Sequence, residues 1–465
     1  MARNFIPIDR EQSYLMPPSL RDWLGEDDLA WCVLNAVGVM DLSAFEGKYR
    51  ADGWGAAAFP PSMMAPLLLY AYCVGERSSR KIERACETDV AFRVVAANRK
   101  PDHATIARFR RKNLKELEEL FTQILALCAE AGLVKVGIVA IDGTKVAANA
   151  SLAANRTHDG LTQEIEKDVK RMLAEAEAAD AEEDRLYGEK RGDELPEELR
   201  TEKGRIERLR ECKERLEREA AERAAEQQRK IDERAVKEEA TGKKLRGRKP
   251  AAPDPTPSEK AKANVTDPES RIMRTRKGYV QGYNAQAAVT EEQIVVAAEV
   301  TQEANDKKQL HPMVEETVES LEAAGVEEKP AVALADAGYW SEANAEGADP
   351  DGPELFIATT KDWKQRKAVR ERPPPRGRIP GDISPRDRME RKLLTKRGRG
   401  LYRLRSQTVE PVFGQIKGVR GCDRFLLRGL DGASGEWKLL CGTHNLLKLW
   451  RHVRRQARGG RANRN

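Results

Sequence analysis

The chain has 465 residues, 34% of them charged, with a mean hydropathy of −0.67 and a net charge of only +6. It is long enough for a large core and about two to three domains, and so polar that much of the charge must lie on exposed segments. No apolar run approaches bilayer length and the opening MARNFIPIDREQ lacks a hydrophobic signal core, so a soluble protein that is neither secreted nor membrane-bound is expected. Seven scattered cysteines without a C-x-x-C pair argue against a disulfide framework or a structural zinc site, and fit a reducing cytoplasm.

Residues 1–130 read as helical. Pro61–Cys73 is an apolar run with helical spacing, Ser78–Asn98 is amphipathic, and Thr105 is placed to cap a further helix through Leu127. Ser78–Lys112 has the form of helix, turn (Arg99-Lys100-Pro101-Asp102) and second helix, the latter carrying Arg108, Arg110, Arg111 and Lys112. Such a pair can read DNA, and it is equally an ordinary helical pair. Val134, Val136, Ile138 and Ala140 then alternate around Ile141, and Asp142-Gly143 closes the run, which predicts a buried strand ending in a turn.

Residues 161–240 form a charged insertion. Ile165, Val169, Met172, Ala176 and Ala179 recur at helical spacing, as do Ile206, Leu209, Leu216 and Ala220. With a break at Gly192–Pro196, the pattern predicts an antiparallel, coiled-coil-like helical hairpin, a scaffold or an oligomer contact. A basic, Pro-rich linker follows across residues 241–264, poor in ordering signals, with Arg246-Gly-Arg-Lys-Pro250 as a short motif of minor-groove type.

Strand signals return from Arg276. Tyr279–Val289 and Ile294–Val300 flank Thr290-Glu291-Glu292-Gln293 as a hairpin. A helix (Asp306–Ala324), a buried strand (Ala331–Ala335) and another strand (Glu354–Thr359) follow. Lys364–Arg405 holds sixteen Lys or Arg against four Asp or Glu, so the rest of the chain is net acidic. This gathering of charge fits a basic loop that is either merely solvated or directed at a polyanion. Helices carrying Val409–Lys417 and Trp437–Trp450 complete an α/β order on a mixed sheet.

Three acids stand out by position. Asp142 and Asp336 follow apolar strands, where open sheets present functional groups, and Glu410 lies early in a helix. Neighbouring parallel strands lie about 4.8 Å apart, which suits carboxylates holding two divalent ions roughly 3.5–4 Å apart. Mg²⁺ takes oxygen ligands, so this chemistry needs no His or Cys cluster. Lys417, seven residues after Glu410, shares its face and is placed to hold phosphate. Each acid alone also reads as a turn residue or a helix cap.

Taken together, these residues resemble the DDE transposases of bacterial insertion sequences, in the group with a Tyr–Arg–Glu–Lys third motif. Pro101–Arg110 resembles the end of that family's N-terminal helical domain, and Ile141-Asp-Gly-Thr-Lys145 its first acidic motif. Thr266–Arg271 and Gly282–Gln286 resemble the approach to the second strand; Ala335–Tyr339 and Val409–Lys417 resemble the second and third acidic motifs. The resemblance implies an RNase H-like mixed-sheet catalytic domain (131–160 and 265–450), with an N-terminal all-α DNA-binding domain (1–130). The charged helical hairpin (161–240) and the linker (241–264) are inserted between the two parts of the catalytic domain, and a basic tail (451–465) ends the chain. It implies Asp142, Asp336 and Glu410 as catalytic ligands of two Mg²⁺ ions, with Mn²⁺ as a substitute. Tyr402, Arg405, Lys417, Lys145, Arg108, Arg110 and Arg111 are the expected DNA contacts. Four residues separate Arg405 from Glu410 where three are commoner, so Arg405 is expected to fall off the Glu410 face. The implied partners are double-stranded DNA, as terminal inverted repeats and target, and further copies of the chain. The implied location is the bacterial cytoplasm, on the nucleoid when DNA is bound. A non-cleaving DNA-binding descendant and a host nuclease of the same fold are the alternatives.

Overall fold

The computed structural model describes residues 19–49, 58–166, 202–244, 247, 249–275, 278–347, 349, 351–360, 371, 373–378 and 380–462. Helices α1 (Leu29–Gly38), α2 (Ser43–Glu46), α3 (Pro61–Cys73), α4 (Ser79–Thr88), α5 (Val90–Val95), α6 (His103–Lys112) and α7 (Leu114–Glu130) come first. α3 has the expected bounds, and every residue from Met63 to Cys73 is buried, as an all-round apolar helix requires. The amphipathic stretch after Ser78 is two helices rather than one. Asp89 ends α4 and caps α5, its carboxylate accepting from the N–H groups of Ala91 (2.8 Å) and Phe92 (3.1 Å). Asp102, not Thr105, caps α6, and Asn113 separates α6 from α7.

Strand β1 runs Ile138–Ala147, so Asp142-Gly143 is not a turn but the middle of a strand. The reason is non-local. β5 (Gly278–Thr290) pairs antiparallel with β1 along its length, from Val139↔Thr290 through Asp142↔Ala287 to Ala147↔Gly282. β5 also pairs with β4 (Arg271–Thr275) and β6 (Val295–Thr301), the hairpin turning at residues 291–294. On its other side β1 pairs parallel with β7 (Val332–Ala335), and β7 with β8 (Glu354–Ile357). The sheet is therefore mixed: antiparallel on one side of β1 and parallel on the other. α10 (Leu310–Ala323) follows β6, and the short α11 (Glu342–Glu346) follows β7.

Between β1 and β4 lie β2 (Asn155–Thr157), α8 (His158–Glu166), the 40-residue α9 (Glu202–Thr241) and β3 (Lys262–Asn264). β2 and β3 pair antiparallel at the base. Leu209, Cys212 and Leu216 of α9 pack on Leu161 and Ala263 in a core separate from that of the sheet. Beyond Ala224 no described residue of α9 is buried. The predicted periodicity of α9 thus meets a partner; the residues predicted as the first arm from Asp168 to Ala179, and Arg246 and Arg248 of the linker motif, lie outside the described residues.

The predicted basic loop is largely helical. α12 (Pro385–Leu394) and α13 (Lys396–Phe413) occupy most of its described part, and α13 widens into a π-helical segment, Gly414–Val419. Ser384 and Asp387 form a reciprocal cap on α12, with Pro385 at the first helical position. α13 lies across β1, β5 and β7, and α14 (Leu430–Ala462) packs on β6, α7 and α3. Asn445 of α14 satisfies both backbone groups of Val295, accepting from its N–H (2.8 Å) and donating to its carbonyl (2.7 Å). One hydrophobic core runs from Ala30 in α1 to Leu449 in α14. No described helix is long and apolar enough to cross a membrane.

Candidate active site

The parallel register pairs Ile141 with Ala335, so the next residues on the two strands, Asp142 and Asp336, stand side by side. Asp142 faces α13. Arg405 Nη2 donates to Asp142 Oδ2 at 2.7 Å, and Nη1 of the same guanidinium approaches Glu410 Oε1 at 3.4 Å. Arg405 does lie off the Glu410 face of α13, but its long side chain spans the five-residue offset and ties both acids together. Glu410 is the exposed member, at 58% against 16% for Asp142. The Asp336 carboxylate accepts from Gly338 N–H at 2.5 Å, which turns the chain directly after β7.

A fourth acid, Asp306, joins them from the β6–α10 loop. It accepts from Asn284 Nδ2 (2.7 Å), Gln286 Nε2 (3.0 Å) and Lys145 Nζ (3.3 Å). The close fit requires glycine on both neighbouring motifs. A Cβ on Gly143 would lie 2.7 Å from Asp306 Oδ1, and one on Gly338 would lie 3.0 Å from Asp306 Oδ2. Gln286 accepts in turn from the Tyr339 hydroxyl, so Asp306, β5 and the segment after Asp336 form one network. Asn284 is fully buried and its Oδ1 has no hydrogen-bond partner among the described residues. Asp306 gave no signal of its own in the sequence. Asn284 and Gln286 did: two amides inside an apolar strand are expensive unless they serve a polar site.

Electrostatics follow from this crowding. Burial pushes the Asp142 carboxyl up to about 7; Arg405 opposes the shift, and Asp336 and Asp306 add to it. Burial works against the Arg405 charge, but Asp142, Tyr402, Asp336 and Glu410 outweigh it and hold the guanidinium protonated. Burial, with Asp142, Asp306 and Asp336 nearby, drives the Tyr339 hydroxyl well above its ordinary range.

Tyr402 is half-buried on α13, three residues before Arg405 and on the same face. Lys417 is part-buried, donating to Thr144 Oγ1 (3.0 Å) and the Lys145 carbonyl (2.7 Å), and burial lowers its proton affinity against Asp423. Lys145 is paired with Asp306 rather than free for phosphate. Arg108 and Arg111 are exposed on α6. Arg110 is not a surface cation: it is 0% exposed and donates to the Arg77 carbonyl (2.9 Å) and the Tyr72 hydroxyl (3.2 Å). The apolar face of an amphipathic helix carried it inward, so its role is structural.

Asp142, Asp336, Glu410 and Asp306 supply oxygen donors only, and burial first, then Asp336 and Asp306, raises the proton affinity of Asp142 against Arg405. That chemistry suits a hard divalent cation. Among the described residues no group of three or more His, Cys, Asp or Glu side chains is placed to hold a metal ion as it stands. Arg405 is the cation that bridges Asp142 and Glu410 here.

A mixed sheet with paired aspartates on adjoining strands, faced by an Arg–Glu helix, defines a carboxylate-centred α/β protein. Residues 20–112 match a family described as Transposase domain (DUF772), and residues 379–450 match one described as Transposase DDE domain. These two matches, toward opposite ends of the chain, are both to transposase domains and support its likeness to the DDE transposases. Glu410 lies inside the second match; Asp142 and Asp336 lie outside both. No curated protein and no solved structure matches the chain.

Proposed function

We propose that the protein cuts DNA at the ends of an insertion sequence and joins the freed 3′ ends to target DNA. The observation that supports this reading is that Arg405 bonds both Asp142 and Glu410, from distant parts of the chain, with Asp336 following the neighbouring strand beside Asp142. The order of the sheet supports an RNase H-like catalytic domain at residues 131–160 and 265–450.

In this reading Asp142, Asp336 and Glu410 would hold two Mg²⁺ ions, with Mn²⁺ as a substitute. Bound there, the ions supply Lewis-acid stabilisation of phosphate oxygens and a more acidic attacking hydroxyl. The chain's own groups do the positioning. Lys417, fixed by Thr144 and the Lys145 carbonyl, offers a rigid charge to a phosphate beside β1. Arg405 exchanges a carboxylate for a phosphate without losing a charged partner. Asp306, through Lys145, Asn284 and Gln286, keeps β1 and the Asp336 turn in fixed relation. Arg108 and Arg111 on α6 bind duplex backbone, with the 1–130 region as the DNA-binding part and the hairpin region as a scaffold or contact between copies. The protein then works in the cytoplasm, on the nucleoid.

The test is strand cleavage and joining, with Mg²⁺, on a duplex carrying the element's ends. Wild type is expected to nick and to form joined products, and Asp336→Asn to bind the duplex while doing neither. If wild type is as inert as Asp336→Asn and both bind, the protein is a DNA-binding descendant only. Cleavage without joined products would make it a nuclease.

A further inference from the structure

The distal part of α14 carries a positive face that the catalytic reading does not use. From Trp437 to Ala462 the helix contains seven Lys or Arg and no Asp or Glu. Among the described side chains, Lys438 pairs with Glu299 (2.9 Å) and Arg454 with Asp27 (2.7 Å). Lys448, Arg451 and Arg455 follow at spacings of three and four, so they share one face. Arg451 and Arg455 are exposed, and neither has an acidic partner among the described residues. Burial, together with Arg451 and Arg455, lowers the proton affinity of Lys448; only Glu292 opposes this, and Glu292 is itself held by Lys135 at 3.3 Å. The helix dipole does not account for the arrangement. It acts within the last turn, and Lys448 and Arg451 stand at least about three turns before Ala462.

This face is wired to the Glu410 helix. Gln293, at the β5–β6 turn and held in the left-handed region at φ 64°, donates to the Gln407 carbonyl of α13 (3.1 Å). Its side-chain oxygen receives Lys448 Nζ (3.4 Å), and its backbone carbonyl accepts from His444 Nε2 (2.9 Å). Gln407 lies one turn before the exposed Glu410. A single turn thus separates the catalytic helix from the basic face.

We propose that Lys448, Arg451 and Arg455 form a second track for the backbone phosphates of duplex DNA, continuous with the Glu410 helix across the Gln293 turn. The track rests on the reading of the protein as a DNA-processing enzyme and adds where the duplex lies as it leaves the catalytic carboxylates. From Lys448 to Arg455 the helix rises about 10 Å, which matches roughly three nucleotides of one strand at about 3.4 Å each.

The experiment is equilibrium binding of the full chain to a duplex of about three helical turns, across roughly 50–200 mM salt. Wild type is compared with Lys448→Gln/Arg451→Gln/Arg455→Gln and with the charge-keeping Lys448→Arg/Arg451→Lys/Arg455→Lys. Each lost phosphate contact lowers the slope of log affinity against log salt by about 0.9, so the neutral triple is expected to lose roughly 2–3 from that slope. The charge-keeping triple is expected to retain it. The exposed single variants Arg451→Gln and Arg455→Gln, each expected to lose about one, give the same reading if the triple does not fold. A wild-type slope in the neutral variants overturns the track and leaves the enzyme reading standing. Failure of wild type to bind duplex at all overturns both.

Discussion

At the scale of single residues, the site is governed by how much negative charge it tolerates. The unfolded Asp142 carboxyl ionises near its ordinary value of 3.8, and burial pushes the folded one up to about 7. Between those values the folded chain holds a proton the unfolded chain has released, so stability falls as pH rises through the window. Asp142→Asn does not titrate. Its stability relative to wild type is therefore expected to improve by roughly 1.4 kcal/mol per pH unit across the window, and to level off above it. Urea unfolding without divalent ions, at pH steps from about 4 to 8, checks this; parallel curves for the two proteins would show that Arg405 already satisfies the carboxylate. Legibility was uneven at this scale. Asp336 followed a short, wholly apolar strand and could be placed from that alone. Asp142 was identified as an acid of the site but put at a strand end, because Asp-Gly is a common turn pair and the partner that keeps it extended, β5, is more than a hundred residues away. The tie from Arg405 to Glu410 was not legible from helical spacing, which counts Cα positions and ignores the reach of a guanidinium. Arg110 was misread because charge was weighed without the face on which it lies.

Among the elements, the helical periodicity predicted for the second arm meets packing partners only in the first part of α9. Leu209 and Leu216 meet Leu161 and Ala263, while the same kind of charged sequence beyond Ala224 has no buried residue, its surface laced by pairs such as Lys230–Glu226 at 2.7 Å. Because this core is separate from that of the sheet, the two are expected to respond separately. Leu216→Ala should cost about 2–5 kcal/mol and raise amide exchange in α8, α9 and β3 while β1 and β5 keep their protection. Equal loss of protection in β1 would refute that separation. α12 and α13 show the opposite error. A high density of Arg, Lys, Pro and Gly was read as a loop, although Ser384-Pro385-Arg386-Asp387 spells out a helix start in both cap and first-turn residues. Net charge says what a segment will attract; it does not say that the segment is irregular.

For the molecule as a whole, the N-terminal helices and the sheet share a core and a buried polar clamp. Arg77, just after α3, donates to Glu436 of α14 (3.0 Å) and to the carbonyls of Arg424 (2.6 Å) and Gly421 (3.2 Å). The second oxygen of Glu436 accepts from the N–H groups of Leu426 (2.7 Å) and Leu427 (3.0 Å). Phe425 N–H in turn bonds the Ala147 carbonyl at the end of β1 (2.7 Å), so the clamp joins α3, α14 and the strand of Asp142. Glu436→Gln leaves Arg77 buried without its counter-charge and is expected to cost about 3–5 kcal/mol. Calorimetry should show the loss as one lowered transition. Two resolved transitions would mean that the helices and the sheet fold independently. The α/β class and the mixed sheet were legible from element order, since alternation of period is local; this clamp was not, since Arg77 and Glu436 carry no pattern until the chain is folded.

The pairing of Asn155–Thr157 with Lys262–Asn264 makes everything between them a detour whose mouth is a single short ladder. Chain enters and leaves at nearly the same point, and closing a longer detour costs only slowly more entropy. The protein can therefore change how far it reaches from its surface, by growing, trimming or trading this cassette, while the spacing of Asp142 and Asn284 stays fixed beneath it. Related chains are free to diverge in architecture at that mouth and remain alike in chemistry.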